Sequence, residues 1–173
     1  SNDKPAYQFV FLRHGESLGN AQSRWQGQSD YPLTEKGRAQ ARALAERWKS
    51  EKANFDLILA SPLVRARETA ELMERGLRLH GRLELTDHLA PDGEFRKLVA
   101  QINGIRPAPK SVLLVGHEPH LSGIISLLCT GGQALALTLK KGGLCRLEVA
   151  HVSCDRCASL EWLISPRVLG PKW

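Results

Sequence analysis

The sequence predicts a three-layer α/β/α sandwich with a mainly parallel central sheet. Along its 173 residues, short apolar runs typical of strands alternate with longer segments of helical periodicity. This alternation is typical of parallel sheets that carry helices on both faces. The run at 112–115, Val-Leu-Leu-Val, contains no polar residue, as expected of a strand in the middle of such a sheet. The length favours a single domain over residues 1–173.

In the first half of the chain, Tyr7 to Leu12 and Leu57 to Ala60 are predicted as strands. Thr34 can cap a helix that runs to about residue 50, because apolar and small residues recur there at helical spacing. These residues are Gly37, Ala41, Leu44 and Trp48. Ser61-Pro62 is then expected to open a second helix, with the proline in its first turn.

The second half is predicted to add a short strand at Leu83 to Leu85 and a helix that Asp92 caps and that ends near Gly104. The apolar stripe of that helix is Phe95, Leu98, Val99 and Ile102. A further helix is expected from about Pro119 to Cys129. Two pairing strands, Leu144 to Val149 and Ala158 to Ile164, complete the sandwich.

Composition and charge narrow the classes of partner. The chain is 42% hydrophobic and 24% charged, which is ordinary for a globular protein, and its net charge is +6. This charge favours anionic partners. The basic residues are scattered and form no nucleic-acid motif, so we expect no nucleic-acid partner. No run approaches the roughly 18 to 20 apolar residues of a membrane helix, so we expect no membrane partner.

The four cysteines lie in the C-terminal third of the chain, unlike a disulfide framework, and this predicts a reduced, cytoplasmic protein. Cys154-x-x-Cys157 follows His151, which leaves a zinc or redox role open. A structural zinc site usually needs four ligands, and the sequence offers no second pair. A hairpin turn between the last two strands is the favoured interpretation.

Cationic and imidazole side chains stand where three predicted strands end. Arg13 and His14 follow the first strand, Arg65 follows the second, and His117 follows the strand at 112–115. The carboxyl ends of parallel strands form the ligand-binding edge of such sheets. Arginine binds phosphate oxygens in pairs, and a histidine nitrogen can attack phosphorus. The pattern predicts a phosphoryl site, with a metal site at His14, His117 and His120 as a lesser alternative because the arginines would repel a cation.

These positions belong to three blocks, Leu-Arg-His-Gly-Glu-Ser at 12–17, Ser-Pro-Leu-Val-Arg-Ala-Arg-Glu-Thr-Ala at 61–70 and Val-Gly-His-Glu at 115–118. Together they resemble the histidine phosphatase superfamily, also called the phosphoglycerate-mutase-like family. The resemblance implies that His14 is the nucleophile that becomes phosphohistidine. It implies that Arg13, Arg65 and His117 complete the phosphate pocket. No metal or organic cofactor is implied.

The resemblance also suggests residues on the substrate side. Asn20 matches a position that often contacts the phosphate, and Gln26 and Gly27 match a substrate-side loop. From residue 114 onward the chain is most similar to short bacterial phosphohistidine phosphatases, whereas the loop at 19–33 is more like small-molecule phosphatases and mutases. The expected partner is therefore a phosphorylated small molecule or a phosphohistidine-carrying protein. The oligomeric state stays open.

The leaving group normally needs a proton donor. Relatives often carry a Glu after the third strand, but here His88 stands nearest the expected place, with Asp87 and Glu84 as competitors. The alternatives to a phosphatase are a mutase of the same family and a non-catalytic module that binds a phosphorylated partner. Only 45 residues separate Ala70 from Gly116, which is short for the helical cap of the mutases and favours a phosphatase.

Overall fold

The computed structural model describes residues 6–22 and 29–169, and in this part of the chain six strands form one sheet. The order across the sheet is β3-β2-β4-β1-β5-β6. The strands are β1 (Tyr7–Arg13), β2 (Leu57–Ala60), β3 (Leu83–Leu85), β4 (Ser111–Gly116), β5 (Leu144–Val149) and β6 (Ala158–Ile164).

Five of the six strands run in the same direction. β1, β2, β3 and β4 pair in parallel. β5 is antiparallel to β1, and β6 is antiparallel to β5, so β6 again runs with β1. The predicted mainly parallel sheet is confirmed. In consequence β1, β2 and β4 deliver the residues that follow them to one edge of the sheet.

Helices cover both faces of the sheet. They are α1 (Leu18–Ala21), α2 (Glu35–Ser50), α3 (Val64–Gly76), α4 (Phe95–Gly104) and α5 (His120–Thr130), with 3₁₀ turns at Asp87–Leu89 and Pro166–Leu169. Alternate residues of β1 point to opposite faces: Phe9 and Phe11 pack with α4 and α5, whereas Val10 and Leu12 pack with α2 and α3. The three layers of the predicted sandwich are thus present.

Thr34 caps α2 as predicted, since its Oγ accepts the amide of Gly37 at 3.1 Å. The cap predicted for α4 is wrong. A turn closed by Gly93 N–H to Ala90 O (2.8 Å) carries the chain past Asp92, and α4 begins after Glu94 without a side-chain cap. The start predicted for α3 is also early, because Ser61-Pro62 forms a turn ahead of the helix and Leu63 is its N-cap.

The segment between β5 and β6 is the predicted hairpin turn. Ala150 N–H donates to Cys157 O at 2.9 Å where the turn closes, and Cys154 and Cys157 are free thiols. Within residues 6–22 and 29–169, no group of three or more His, Cys, Asp or Glu side chains could hold a metal ion. In the same ranges, no helix has the length and apolar character needed to span a bilayer.

Candidate active site

The structure brings the two histidines at the strand ends together. His14 follows β1 and His117 follows β4, and these strands pair in parallel, with Arg13 opposite Gly116. The amide of His14 also donates to Gly116 O at 3.1 Å. The two imidazole centroids lie 5.2 Å apart at an interplanar angle of 57°. Both side chains are buried, each with 3% of its surface exposed.

The hydrogen bond of His14 determines which of its nitrogens can react. Nδ1 lies 2.7 Å from the carbonyl oxygen of Gly15. Because a carbonyl can only accept, Nδ1 carries the proton, and Nε2 of the neutral ring keeps its lone pair. The pKa of His14 is lowered from 6.5 to about 3, chiefly by burial. The hydrogen bond to Gly15 acts in the opposite direction, and the Arg65, Arg13 and Lys141 charges act in the same direction as burial. His14 is therefore a neutral imidazole with a nucleophilic Nε2 at physiological pH.

His117 is held by a buried serine. Its Nε2 lies 2.8 Å from the Oγ of Ser61, which itself accepts the amide of Leu63 at 3.2 Å. Burial, followed by His14 and Arg65, lowers the pKa of His117 from 6.5 to about 2. Among the described residues, Nδ1 of His117 has no hydrogen-bond partner. If Ser61 donates to Nε2, Nδ1 carries the proton and can donate to a bound oxyanion.

The two arginines are fixed by backbone carbonyls. Arg13 donates from its guanidinium to Leu139 O at 3.0 Å, and Arg65 donates to Ser29 O. Burial lowers the pKa of both groups, but guanidinium stays charged in proteins. Two permanent cations therefore face two neutral imidazoles, which suits a phosphoryl dianion.

Glu118 holds the segment that positions Arg13. Its carboxylate accepts the amide of Ser122 at 2.8 Å and the amide of Leu139 at 3.1 Å. Leu139 O in turn accepts the Arg13 guanidinium, and the negative charge of Glu118 raises the pKa of Arg13 against the effect of burial. Glu118 thus stabilises Arg13 both electrostatically and through the backbone of residue 139.

Two glycines let α2 approach the loop after His14. A Cβ on Gly37 would lie 2.2 Å from Glu16 O, and one on Gly15 would lie 3.2 Å from Gly37 O. The amide of Gly142, at φ 71°, also donates to the carbonyls of Arg13 and His14 at 3.1 and 3.2 Å. The backbone that carries His14 is therefore in contact with the segment around Gly142 and, through the adjoining loop, with α2.

Asn20 lies in α1 and closes a capping box with Ser17. Its Oδ1 accepts the Ser17 amide at 3.1 Å, and its own amide donates to Ser17 Oγ at 3.3 Å. The cap therefore uses the Oδ1 and the backbone amide of Asn20. Gln26 and Gly27 lie outside the described residues.

The three candidates for the proton donor occupy different environments. His88 is half-buried in the 3₁₀ turn after β3, where its amide donates to Thr86 Oγ at 3.2 Å and its carbonyl accepts Nε2 of His120 at 2.9 Å. Asp87 is exposed on the same turn. Glu84 is exposed within β3, opposite Leu59. His88 is thus the least exposed of the three, and it is tied to the first residue of α5.

Several contributors to the site were missed by the sequence analysis. Ser61 and Glu118 stand inside the motif blocks, so their partnership with His117 and Arg13 could have been suspected. The carbonyls of Ser29 and Leu139 give no sequence signal, because any residue carries a carbonyl. The charge of Lys141 reaches His14 only because the 139–143 segment folds over β1.

Comparisons with known proteins agree with this geometry. The family model described as "Histidine phosphatase superfamily (branch 1)" matches residues 9–90. An uncharacterized protein of Picosynechococcus sp. is 33% identical over 167 residues, which are 95% of this chain and 99% of that protein. The chain belongs to the histidine phosphatase superfamily.

Two relatives of this family carry functional names. Phosphohistidine phosphatase SixA of Escherichia coli is 27% identical over 162 residues, which span 92% of this chain and 94% of SixA. A solved structure of the protein histidine phosphatase SixA with tungstate has a TM-score of 0.72 at 26% identity and covers 94% of this chain and 99% of that one. A probable phosphoglycerate mutase, GpmB of Photorhabdus laumondii, is 52% identical over 68 residues, but these are only 39% of this chain and 31% of the mutase. The end-to-end similarity to SixA supports an enzyme with phosphatase function.

Proposed function

We propose that this protein hydrolyses a phosphorylated substrate through a covalent phosphohistidine on His14. The observation that carries the proposal is the hydrogen bond from His14 Nδ1 to Gly15 O. It leaves Nε2 as a buried, unprotonated nucleophile beside two guanidinium groups. Positioning and charge stabilisation are the main requirements of phosphoryl transfer, and this arrangement supplies both.

The proposed reaction has two displacements. Nε2 of His14 attacks phosphorus and forms the N–P bond while the bond from phosphorus to the leaving group breaks. Arg13, Arg65 and Nδ1–H of His117 stabilise the charge on the phosphoryl oxygens, with Asn20 as a further donor. The leaving group takes a proton from His88. A water molecule then attacks phosphorus and gives a proton to His88, the N–P bond breaks, inorganic phosphate leaves, and His14 returns to its neutral form.

We propose a phosphohistidine-carrying protein as the substrate and keep a small phosphomonoester as the alternative. The similarity to SixA over nearly the whole length supports the first. The interval between α3 and β4 also supports it, because α4 and one 3₁₀ turn are the only helical elements described there. No described element in that interval forms a large cap, so a bulky substrate can reach His14. A cytoplasmic location remains part of this proposal.

The test is phosphate release from p-nitrophenyl phosphate and from a phosphohistidine protein, with wild type and His14→Ala compared. His151→Ala is the matched control, because His151 is exposed beyond β5. We expect release and acid-labile labelling with the wild type and the control, and neither release nor labelling with His14→Ala. If His14→Ala released phosphate as fast as the wild type, His14 would not be the nucleophile.

A mutase is the second candidate function, because the chain is 52% identical to GpmB over the 68 residues that align. A mutase would return the phosphoryl group to a second hydroxyl instead of water. Product analysis with a phosphoglycerate separates the two: an isomeric phosphoglycerate without free phosphate would favour the mutase, and free phosphate favours the phosphatase.

A further inference from the structure

A cavity lies at the end of the sheet opposite to His14. Gln8 and Ser111, which lie near the start of β1 and β4 and pair with each other, form part of its wall. His14 follows the other end of β1, roughly 20 Å away for a strand of this length. The cavity has a volume of about 310 Å³, in the lower part of the range of small-molecule sites. It is therefore separate from the catalytic site.

Aromatic side chains form much of the wall. Trp48 at the end of α2 and Phe55 before β2 are in contact, with ring centroids 5.5 Å apart and an interplanar angle of 50°. Trp162 of β6 completes the aromatic lining and packs against the same core cluster as Trp48. Indole faces favour flat rings and cations as ligands. These three side chains are held by the core, so the aromatic walls are preorganised.

Arg146 places a cation in this aromatic surrounding. It lies in β5 directly opposite Trp162, next to an irregularity in the pairing of β5 and β6. Within the described part of the chain its buried Nε has no hydrogen-bond partner, and it makes no ion pair. The Arg146 side chain is half-buried, and among the described residues its Nε is the buried atom that lacks a hydrogen-bond partner. An anionic ligand that accepts from Nε would supply that partner.

The acidic side chains around the cavity have other partners. Glu51 is paired with Arg47 at 3.2 Å. A hydrogen bond with Glu161 raises the pKa of Glu148, although the Arg146 charge acts in the opposite direction. Asn54 accepts from Arg82 at 2.9 Å through Oδ1, so its Nδ2 is the polar group that remains for a ligand. The exposed amide of Gln8 offers both a donor and an acceptor.

We propose that this cavity binds a flat heteroaromatic ring that carries an anionic group, with nucleoside monophosphates as the simplest members of the class. The ring packs against Trp162 and Trp48, the amides of Gln8 and Asn54 contact its polar edge, and Arg146 binds the anion. The proposal does not depend on the chemistry of His14.

The test is calorimetric titration of the full chain with AMP, GMP, CMP and UMP, with tungstate at saturation to occupy the catalytic site. We expect one saturable site for at least one nucleotide. The corresponding nucleoside and inorganic phosphate should each bind at least tenfold more weakly. His14→Ala should bind the nucleotide as the wild type does, which separates this proposal from the proposed function.

Arg146→Gln and Arg156→Gln form a matched pair, because each removes one positive charge and Arg156 is exposed in the turn between β5 and β6. Arg146→Gln should weaken nucleotide binding at least tenfold, and Arg156→Gln should not change it. Trp162→Phe keeps an aromatic ring in the core and should weaken binding without unfolding the protein, as a thermal melt will check. The absence of saturable binding for all four nucleotides would overturn the proposal. So would affinity that Arg146→Gln leaves unchanged, or nucleosides that bind as tightly as nucleotides.

Discussion

At the scale of single residues, we expect the Ser61 hydroxyl to donate to Nε2 of His117, so that Nδ1 carries the proton. The Oγ of Ser61 lies 2.8 Å from Nε2 and has no exposed surface. Without this hydroxyl, His117 can adopt the tautomer that presents a lone pair to the phosphoryl oxygens. We predict that Ser61→Ala lowers kcat/KM by roughly fivefold, the equivalent of one hydrogen bond of about 1 kcal/mol. Steady-state kinetics on p-nitrophenyl phosphate measure this change.

Ser126→Ala is the control for that substitution. Ser126 is also buried, and its Oγ donates to Gly132 O at 2.8 Å in the C-terminal half of α5, away from the histidines. Both variants should lose a similar free energy of unfolding, but only Ser61→Ala should lose activity. An equal loss of activity in the two variants would mean that Ser61 acts only through stability.

His88 carries a prediction that depends on the leaving group. An alkoxide needs a proton as it departs, whereas p-nitrophenolate and a protonated imidazole need it much less. We predict that His88→Ala slows hydrolysis of an alkyl phosphate by roughly 100-fold or more, the usual contribution of a general acid, and slows p-nitrophenyl phosphate far less. Asp87→Ala, on the same turn, is the matched control. If both variants kept full turnover on the alkyl phosphate, no proton donor would lie in this turn.

The sequence predicted which side chains form the candidate site, but not the backbone groups that hold them in place. Strand ends and motif blocks identified Arg13, His14, Arg65 and His117, and the structure brings the two histidines and the arginine charges together. The tautomer of His14 depends on the carbonyl of Gly15, and the position of Arg13 depends on the carbonyl of Leu139. Such backbone contacts depend on the tertiary structure, and because every residue has a carbonyl, the sequence cannot show which carbonyls are used.

At the scale of elements, the packing of α2 against the loop after His14 depends on the absence of a side chain at residue 37. Gly37→Ala would place its Cβ 2.2 Å from Glu16 O, so the helix must shift and the His14 loop must shift with it. We predict a loss of about 1–3 kcal/mol in the free energy of unfolding, together with a loss of kcat. Chemical denaturation and kinetics on the same samples measure both.

Gly104→Ala is the corresponding control at the end of α4, where a Cβ would meet nothing within 4 Å. Alanine has a higher helix propensity and restricts the unfolded chain, so this variant should be unchanged or more stable by up to about 1 kcal/mol. Equal stability of the two variants would show that the close approach of α2 is not required.

Helix periodicity predicted elements better than it predicted their ends. For α2 the cap at Thr34 and the end near residue 50 are confirmed, because a side-chain cap and an apolar stripe are both local signals. For α4 the stripe is confirmed but the cap at Asp92 is wrong. There the start depends on the 3₁₀ turn at Asp87–Leu89 and on the following turn to Gly93, neither of which has a periodic signal.

At the scale of the whole molecule, the parallel strands gather the proposed catalytic groups at one edge of the sheet and leave the aromatic cavity at the other. The alternation of short apolar runs with segments of helical periodicity was enough to predict the sandwich and its strands. It could not predict that cavity, because Trp48, Arg146 and Trp162 are far apart in sequence and meet only through the packing of α2 beside β5 and β6. Because the ends of β1, β2 and β4 meet at one edge, two histidines are buried close to two arginines. The stability of the fold should therefore depend on pH.

The whole fold should lose stability as the pH falls below about 6.5. The pKa of His14 is about 3 and that of His117 about 2 in the folded protein, against 6.5 for an unperturbed histidine. At a pH between about 3 and 6.5, both histidines are protonated in the unfolded chain but neutral in the folded protein. Lowering the pH in this range therefore favours unfolding. Each histidine should contribute a slope that approaches about 1.4 kcal/mol per pH unit below pH 6. Urea titrations from pH 8 to pH 5 measure the sum.

Two comparisons test whether that slope comes from His14 and His117. The double variant His14→Gln/His117→Gln should flatten the curve between pH 6.5 and 5, because glutamine does not titrate. Tungstate should also flatten it, since an oxyanion beside the imidazoles favours their protonated forms and raises both pKa values in the folded state. A steep slope that persists in the double variant would mean that other groups dominate the acid response, and that the cationic site does not hold its two histidines neutral.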